Sequence, residues 1–441
     1  MQRLLKKDSR RTLFKQTEIG SIPEGWNLIR LGDIIQIKSG QYFRYNEFVK
    51  QGVRVLKIDN VSFGEVMWEN FDYLPEEYLQ KYDDILLREG DVVMALNRPI
   101  IDNKVKVAIL KAGDAPCLLY QRVGKFNIVE SFQITNEYLF HFFRSSLFRL
   151  QLLRICIGAD QPYVNTTALV QIKIPLPPLK EQQKITAILS KVDYIIQKTD
   201  DIIEQTQRLK KALMRRLLTV GIGHIKFKEM KWLLGKQEIP EVWECAFLKD
   251  IVLSYKNGIY KTPEYYGRGF PSIRMFNIVD GRINASGAPL LDVTEEELTD
   301  YSLKVGDIIV NRVNTADLVG KIGIVKEDLG KVTFESKNIR IRVRHQKCIP
   351  EFLAYFMSTD LYYKQIRSSI KAAIGQATIN QQDLNMIRVP LPPITEQQEI
   401  VSILSTTDLM KKTELKNKFY FQNLKKGLNQ ELLTGKIRVK V

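Results

Sequence analysis

From Glu181 onward, Ile185, Ile188, Val192, Ile195, Thr199, Ile202, Thr206, Leu209 and Leu213 fall alternately three and four residues apart. An apolar seam kept over about four heptads predicts a long helix whose seam is covered by a second helix. Glu181 to Leu218 would span on the order of 55 Å, long for a surface helix of a compact domain. A second, less regular seam runs between Glu396 and Leu433 through Ile400, Ile403, Met410, Phe421, Leu424 and Leu428, with Glu414 and Asn417 interrupting its middle. The pattern allows two helices each packed on its own domain, but it favours pairing with each other, most simply antiparallel. Outside these stretches the period shortens to two. "VRVLKIDNV" and "KVKVAIL", then "KIGIVKE" and "NIRIRVR", read as strands punctuated by Gly and Asn. "NEYLFHFFRSS" and "PEFLAYFMSTD" read as aromatic helices packed on those sheets.

The same order of elements occurs twice. "IPLPPLKEQQKITAILSKVD" from Ile174 agrees with "VPLPPITEQQEIVSILSTTD" from Val389 at twelve of twenty positions. I-P-E-x-W recurs at Ile22 and Ile239, "LREGDVVMALNRP" from Leu87 aligns with "LKVGDIIVNRVN" from Leu303, and "QPYVNTTALVQ" from Gln161 aligns with "QATINQQDLNM" from Gln376. The spacing stays near 215 residues, far longer than the roughly 20–50 of a solenoid repeat, and means one ancestral unit doubled. The expected organisation is an arm over 1–20, globular domains over 21–173 and 225–388, and helical regions over 174–224 and 389–441. The proline cluster before each long helix is expected to stop any sheet and hold the chain extended.

Composition narrows the class. With 441 residues, 44% hydrophobic and 26% charged, the chain reads as a folded two-domain protein. It has no apolar run near the roughly 20 residues of a membrane span. The basic N-terminus lacks the apolar core of a secretory signal and reads as a solvated helix or arm in preference to a weak transit peptide. Cys117, Cys156, Cys245 and Cys348 lie far apart, and His141, His224 and His345 have no ligand-spaced neighbour, so no metal site is expected and a reducing cytoplasm fits. A net charge of +16 draws a polyanion. No phosphate-binding P-loop, dinucleotide turn or methyl-donor pocket is visible. Glu335/Lys337 and Glu229/Lys231 have the E-x-K spacing of metal-dependent nucleases, a pairing that chance supplies readily in so charged a chain.

On "IPLPPLKEQQKITAIL", "VPLPPITEQQEIVSIL", the two I-P-E-x-W motifs, "GDIIVNRVN" with "GKIGIV" from Gly306, and "LLTGKI" from Leu432, nearly the whole chain resembles the specificity subunit of type I restriction-modification enzymes. Two local departures are Asp160 before Gln161, where Gly375 precedes Gln376, and "LLTVGI" from Leu217 at the end of the first helix. The resemblance implies an α+β fold: two similar α/β target recognition domains joined by two long helices that pair as an antiparallel coiled coil, with pseudo-two-fold symmetry. It also implies a non-catalytic subunit that reads a bipartite, gapped double-stranded DNA site, the helices acting as a molecular ruler. Its partners would be two adenine-methylating subunits and two ATP-driven restriction subunits, and S-adenosylmethionine, ATP and magnesium would be held by them and not by this chain.

Base readout needs forked donors while Lys fixes register on phosphates. The loops of the first copy offer Tyr42, Arg44, Lys50, Asn97, Arg98 and Lys104. Those of the second offer Tyr260, Lys261, Tyr265, Tyr266, Arg268, Asn311, Arg312, Asn314 and Lys321. Glu181 and Glu396 suit the first turn of a helix through its dipole. The glutamines after them, Gln182, Gln183, Gln397 and Gln398, have no such reason and are assigned to docking the methylating subunits. Lys210, Lys211, Arg215 and Arg216 suit a helix C-terminus equally as dipole compensation or as a DNA or partner contact. A free-standing DNA-binding regulator of pseudo-dimeric shape, and a nuclease using one E-x-K pair, are the competing functions.

Overall fold

The computed structural model describes residues 13–129, 133–232, 235–373 and 376–440. The chain divides into two units, Met1–Asp200 with Lys416–Val441, and Asp201–Leu415, so each unit takes one half of each long helix. The stretch read as an arm contains a strand, Phe14–Thr17, hairpinned to Gly20–Pro23. Residues 1–12, and Gly375 of the second Gly-Gln pair, lie outside the described residues.

In the first unit the central sheet runs Ile35–Ser39, Val123–Ile128, Val92–Ala95, Val107–Ile109, Phe63–Gly64. Antiparallel ladders join the first four of these strands. In the second unit the order is Val252–Asn257, Asn338–Val343, Ile308–Asn311, Ile322–Ile324, Arg282–Ile283, Ile278–Val279, the same arrangement extended by one edge strand. The central strand of each, Val92–Ala95 or Ile308–Asn311, is buried along its whole length, apolar throughout in the first and up to Asn311 in the second. The aromatic helices Asn136–Phe143 and Pro350–Phe356 belong to the cores formed with these sheets. Phe143 meets Phe126 of the sheet edge-on, ring centroids 4.6 Å apart. The duplication reaches single interactions: Lys125 donates to the Leu86 carbonyl at 2.9 Å, and Arg340, its counterpart, donates to the Ser302 carbonyl at 2.6 Å.

The proline lead-ins differ from expectation. Lys173–Leu176 pairs with Asn27–Arg30, and Arg388–Leu391 with Glu244–Phe247, each an antiparallel two-stranded ladder that includes a proline. A two-stranded ladder has a free edge on both sides, so the missing N–H of Pro175 or Pro390 can face that edge without breaking the pairing. Each ladder is held in the same way from a neighbouring helix. The Gln151 amide both donates to and accepts from the Lys173 backbone at 2.9 Å, and Gln365 does the same for Arg388 at 3.0 and 2.8 Å.

The long helices span Leu179–Leu217 and Ile394–Leu433. Both seams run one residue away from the expected one at alternate steps. On the first helix the covered positions are Ile185, Leu189, Val192, Ile196, Thr199, Ile203, Thr206, Lys210, Leu213 and Leu217, while Ile202 and Leu209 are 42% and 49% exposed. On the second they are Ile400, Leu404, Thr407, Lys411, Glu414, Lys418, Phe421, Lys425, Leu428 and Leu432, each offset from its counterpart as Ile400 is from Ile185. Within the first unit, Asp193 pairs with Lys425 and Asp200 with Lys418 at 2.5 Å, so seven residues forward on one helix answer seven back on the other. That is antiparallel pairing on a heptad repeat. In the second unit Lys210 pairs with Asp408, the counterparts of Lys425 and Asp193. Gly221 and Gly435, both at positive φ, follow the two helix ends, so the extra residue in "LLTVGI" leaves the same kind of C-terminal stop in each copy.

Candidate nucleic-acid interface

Two features recur in both copies: a junction at the start of each long helix, and a rim of loops on each globular domain. At the first junction the Glu181 side chain is 1% exposed. It accepts the Trp26 indole N–H at 3.0 Å and both Arg438 nitrogens, Nε at 2.5 Å and Nη2 at 2.8 Å. At the second, Glu396 accepts from Trp243 at 2.8 Å and from the Ile222 backbone at 3.0 Å, and its Oε1 lies 2.8 Å from His224 Nε2. The tryptophan of I-P-E-x-W is thus the partner of the glutamate of E-Q-Q, and the group that completes each site follows the other long helix.

Gln182 and Gln397 differ from their expected role at a partner surface, because both are fully buried. The Gln182 amide donates to the Gln133 and Pro177 carbonyls at 2.7 and 2.9 Å, and its carbonyl accepts from Thr135 at 3.3 Å. Gln397 donates to Lys347 and Pro392 at 3.1 and 2.9 Å and accepts from Ile349 at 2.9 Å. Each ties the proline lead-in to the start of an aromatic helix, which leaves no amide atom turned to a partner. Gln183 and Gln398 are exposed.

The rim of the first unit starts at Gly40, where a Cβ would lie 2.1 Å from the Tyr120 carbonyl oxygen, so only glycine admits this approach. The loop then alternates. Phe43 is buried among Tyr78, Tyr82 and Tyr120, while Tyr42, Arg44 and Tyr45 project outward, Tyr45 being 93% exposed. Beside it Lys57 pairs with Asp72 and lies over the Phe48 and Tyr120 rings at 4.9 and 5.6 Å. Lys106 donates to Ile58 at 2.9 Å, and burial holds its ammonium below the ordinary lysine value. A hairpin of Ile100–Ile101 and Lys104–Val105 carries Asp102 and Asn103 at its tip, both at positive φ, as is the exposed Arg98 at its base. Asn97 is half-buried, and Lys50 and Lys104 are exposed.

In the second unit a Cβ on Gly258 would lie at the same 2.1 Å from the Glu335 carbonyl oxygen, and this glycine starts a loop that carries Tyr260, 76% exposed. Two expected DNA contacts are neutralised within the chain: Lys261 pairs with Glu297 at 2.5 Å and Arg268 with Asp292 at 2.8 Å. Asn311 is fully buried and cannot reach a base, since it donates to Lys337 and Asn338 at 3.2 Å and accepts from Asn314 at 2.8 Å. Arg312 and Arg274 each bury an Nε without a hydrogen-bond partner among the described residues. Arg274 lies over the Tyr266 ring at 4.8 Å, 3.5 Å from Glu335, whose carboxyl is pushed up by burial against the pull of Arg274 and Lys337. Tyr265 and Lys321 lie on the same loops.

Lys57 and Arg274 are the rim cations that the motifs alone did not single out. Their backbones are held alike, the Lys57 N–H by Asn60 at 2.9 Å and the Arg274 N–H by Asn277 at 3.0 Å. A signal for them exists in the sequence: "LKIDNV" and "IRMFNI" share an apolar–basic–x–x–Asn–apolar pattern at the repeat offset. Among the described residues Arg44, Lys50, Arg98, Lys104, Arg312 and Lys321 have no ion-pair partner, so each rim presents unpaired cations with forked donors and exposed aromatics. That set suits a polyanion with readable edges. No group of three or more His, Cys, Asp and Glu able to hold a metal occurs among the described residues, and none of their helices is long and apolar enough to cross a membrane. Of the E-x-K pairs, Glu335 faces Arg274, Glu229 pairs with Lys236 at 2.7 Å, and the Lys231 side chain lies outside the described part.

The family described as "Type I restriction modification DNA specificity domain" matches the chain twice, over residues 23–208 and 240–419. The type I restriction enzyme MjaVIII specificity subunit of Methanocaldococcus jannaschii is 46% identical over 219 residues, 50% of this chain, and that match spans about half (51%) of the relative's length. The putative MjaX specificity subunit of the same organism is 29% identical across 97% of both chains. The fold is similar to the crystal structure of a type I restriction-modification S subunit from M. genitalium, with a TM-score of 0.54 at 12% identity over 92% of this chain and 96% of that one.

Proposed function

The chain belongs to the type I restriction modification DNA specificity family, and from that premise we propose that it is the DNA-reading subunit of a type I restriction-modification complex. Each globular domain reads one half of a bipartite site in double-stranded DNA. The observation that carries this reading is the duplicated rim. Two copies of one fold start their loops at equivalent glycines, hold a cation on the same asparagine turn, and then differ in the outward side chains that would choose bases. A scaffold kept constant with variable outward groups is what two different half-sites require.

In this reading the chain performs no chemistry. Two methylating subunits modify adenine in each half-site, and two ATP-driven subunits cut unmodified DNA. S-adenosylmethionine, ATP and magnesium belong to those partners, and the assembly works in the cytoplasm. The test is a genome-wide map of N6-methyladenine in cells with and without this gene, supplied with its methylating partner. A gapped two-part motif that disappears on deletion is the expected result. An unchanged map alongside an active partner would reject the proposal in favour of a free-standing regulator.

A further inference from the structure

The second unit holds a cleft of about 1430 Å³ between its halves of the long helices and its globular domain. At its floor Asp408 is enclosed by three cations, Lys210, Arg282 at 3.4 Å and Lys326 at 3.5 Å. Burial, with the neighbouring Arg282 adding to it, holds Lys326 below the ordinary lysine value. Four further cations, Lys211, Arg215, Lys364 and Lys412, line the cleft exposed, without an ion-pair partner among the described residues. Helix pairing does not require Arg215 or Lys412. In the first unit the counterpart Asp193 is satisfied by Arg144 and Lys425, and the positions of Arg215 and Lys412 are occupied by Gln430 and Gln197. The cleft also reaches the reading rim, since Phe276 and Lys321 are part of its lining.

We propose that this cleft is a second DNA contact, which holds backbone phosphates of the duplex beside the half-site read by the same unit and carries no base preference. Concave walls of low dielectric concentrate a positive field on a passing polyanion. Lysines without fixed geometry suit phosphates and not base edges. The inference rests on the reading that the chain binds duplex DNA.

The experiment compares the full chain with a Lys211→Gln, Arg215→Gln, Lys364→Gln, Lys412→Gln variant. Binding is followed by fluorescence anisotropy over a range of KCl concentrations, on a duplex carrying the mapped site and on a scrambled one. All four side chains are exposed, so an unchanged circular dichroism melt is the control for folding. The variant should bind both duplexes more weakly by the same factor. The slope of log affinity against log salt should be shallower by ~0.9 for each phosphate that is no longer neutralised, up to about 3.6 in all. The methylation motif should stay the same. An unchanged slope overturns the inference, as does a variant whose binding of inorganic triphosphate is lost while DNA binding persists. If the wild-type chain fails to prefer the mapped duplex, the proposed function falls, and the slope on scrambled DNA still decides the role of the cleft.

Discussion

Gln182 and its exposed neighbour Gln183 have the same chemistry and opposite consequences. Replacing Gln182 with Ala leaves the Thr135 N–H and the Gln133 and Pro177 carbonyls short of a partner inside the protein, a loss of about 2–4 kcal/mol. Gln183→Ala should stay within ~0.5 kcal/mol, as should Gln398→Ala against a costly Gln397→Ala. Urea denaturation measures all four, and equal small effects would show that the buried amides are not structural ties. Arg98 allows a cleaner separation of recognition from folding. Its backbone lies at φ 45°, which costs a non-glycine residue about 1 kcal/mol. Arg98→Gly should therefore keep or slightly raise stability while relaxing one half of the methylation motif, which a methylome shows directly. An intact motif would remove Arg98 from base reading.

At the scale of elements, charge does part of the work along the long helices. Burial alone would raise the Asp193 carboxyl, but the charges of Arg144 and Lys425 outweigh it and hold it below the ordinary carboxylate value. A depressed folded pKa means that the unfolded chain binds more protons between the two values. The contribution is therefore complete above the unfolded value, about 4, and is lost as pH falls through the folded one. Asp193→Asn should destabilise by about 2–4 kcal/mol at neutral pH and flatten the acid limb of a stability–pH curve. A mutant curve parallel to wild type would contradict this. These pairs also explain what the sequence hid. The existence, approximate limits and heptad repeat of both helices were legible, as were the duplication and a few of the strands. The seam was not, because Ile188–Leu189, Ile195–Ile196 and Ile202–Ile203 offer apolar side chains on both sides of the interface, and in the second helix the seam passes through Lys411, Glu414, Lys418 and Lys425. The candidate contact residues were read onto loops from the repeat alone, and burial of Asn311 and pairing of Lys261 and Arg268 were not legible because they depend on residues distant in sequence.

At the scale of the molecule, each unit draws on both repeats. The segment after the second helix brings Arg438 to Glu181, and Gly435 packs on Pro23 and Trp26. Ending the chain at Leu433 should strip that cover from the first unit alone. Hydrogen exchange should then rise in 20–30 and 174–192 and stay unchanged in 238–252 and 389–407, whereas a uniform rise would mean that the two units unfold as one. The shared construction also bears on ancestry. Before the duplication, one repeat possessed one glutamate and one closing segment, and neither unit can be assembled from a single repeat, because each takes part of a helix from both. The earlier gene product would have reached this architecture only as a pair of identical chains exchanging their helix ends. Fusion into one chain would then leave the two loop rims free to diverge independently, a freedom that the symmetry of an identical pair denies.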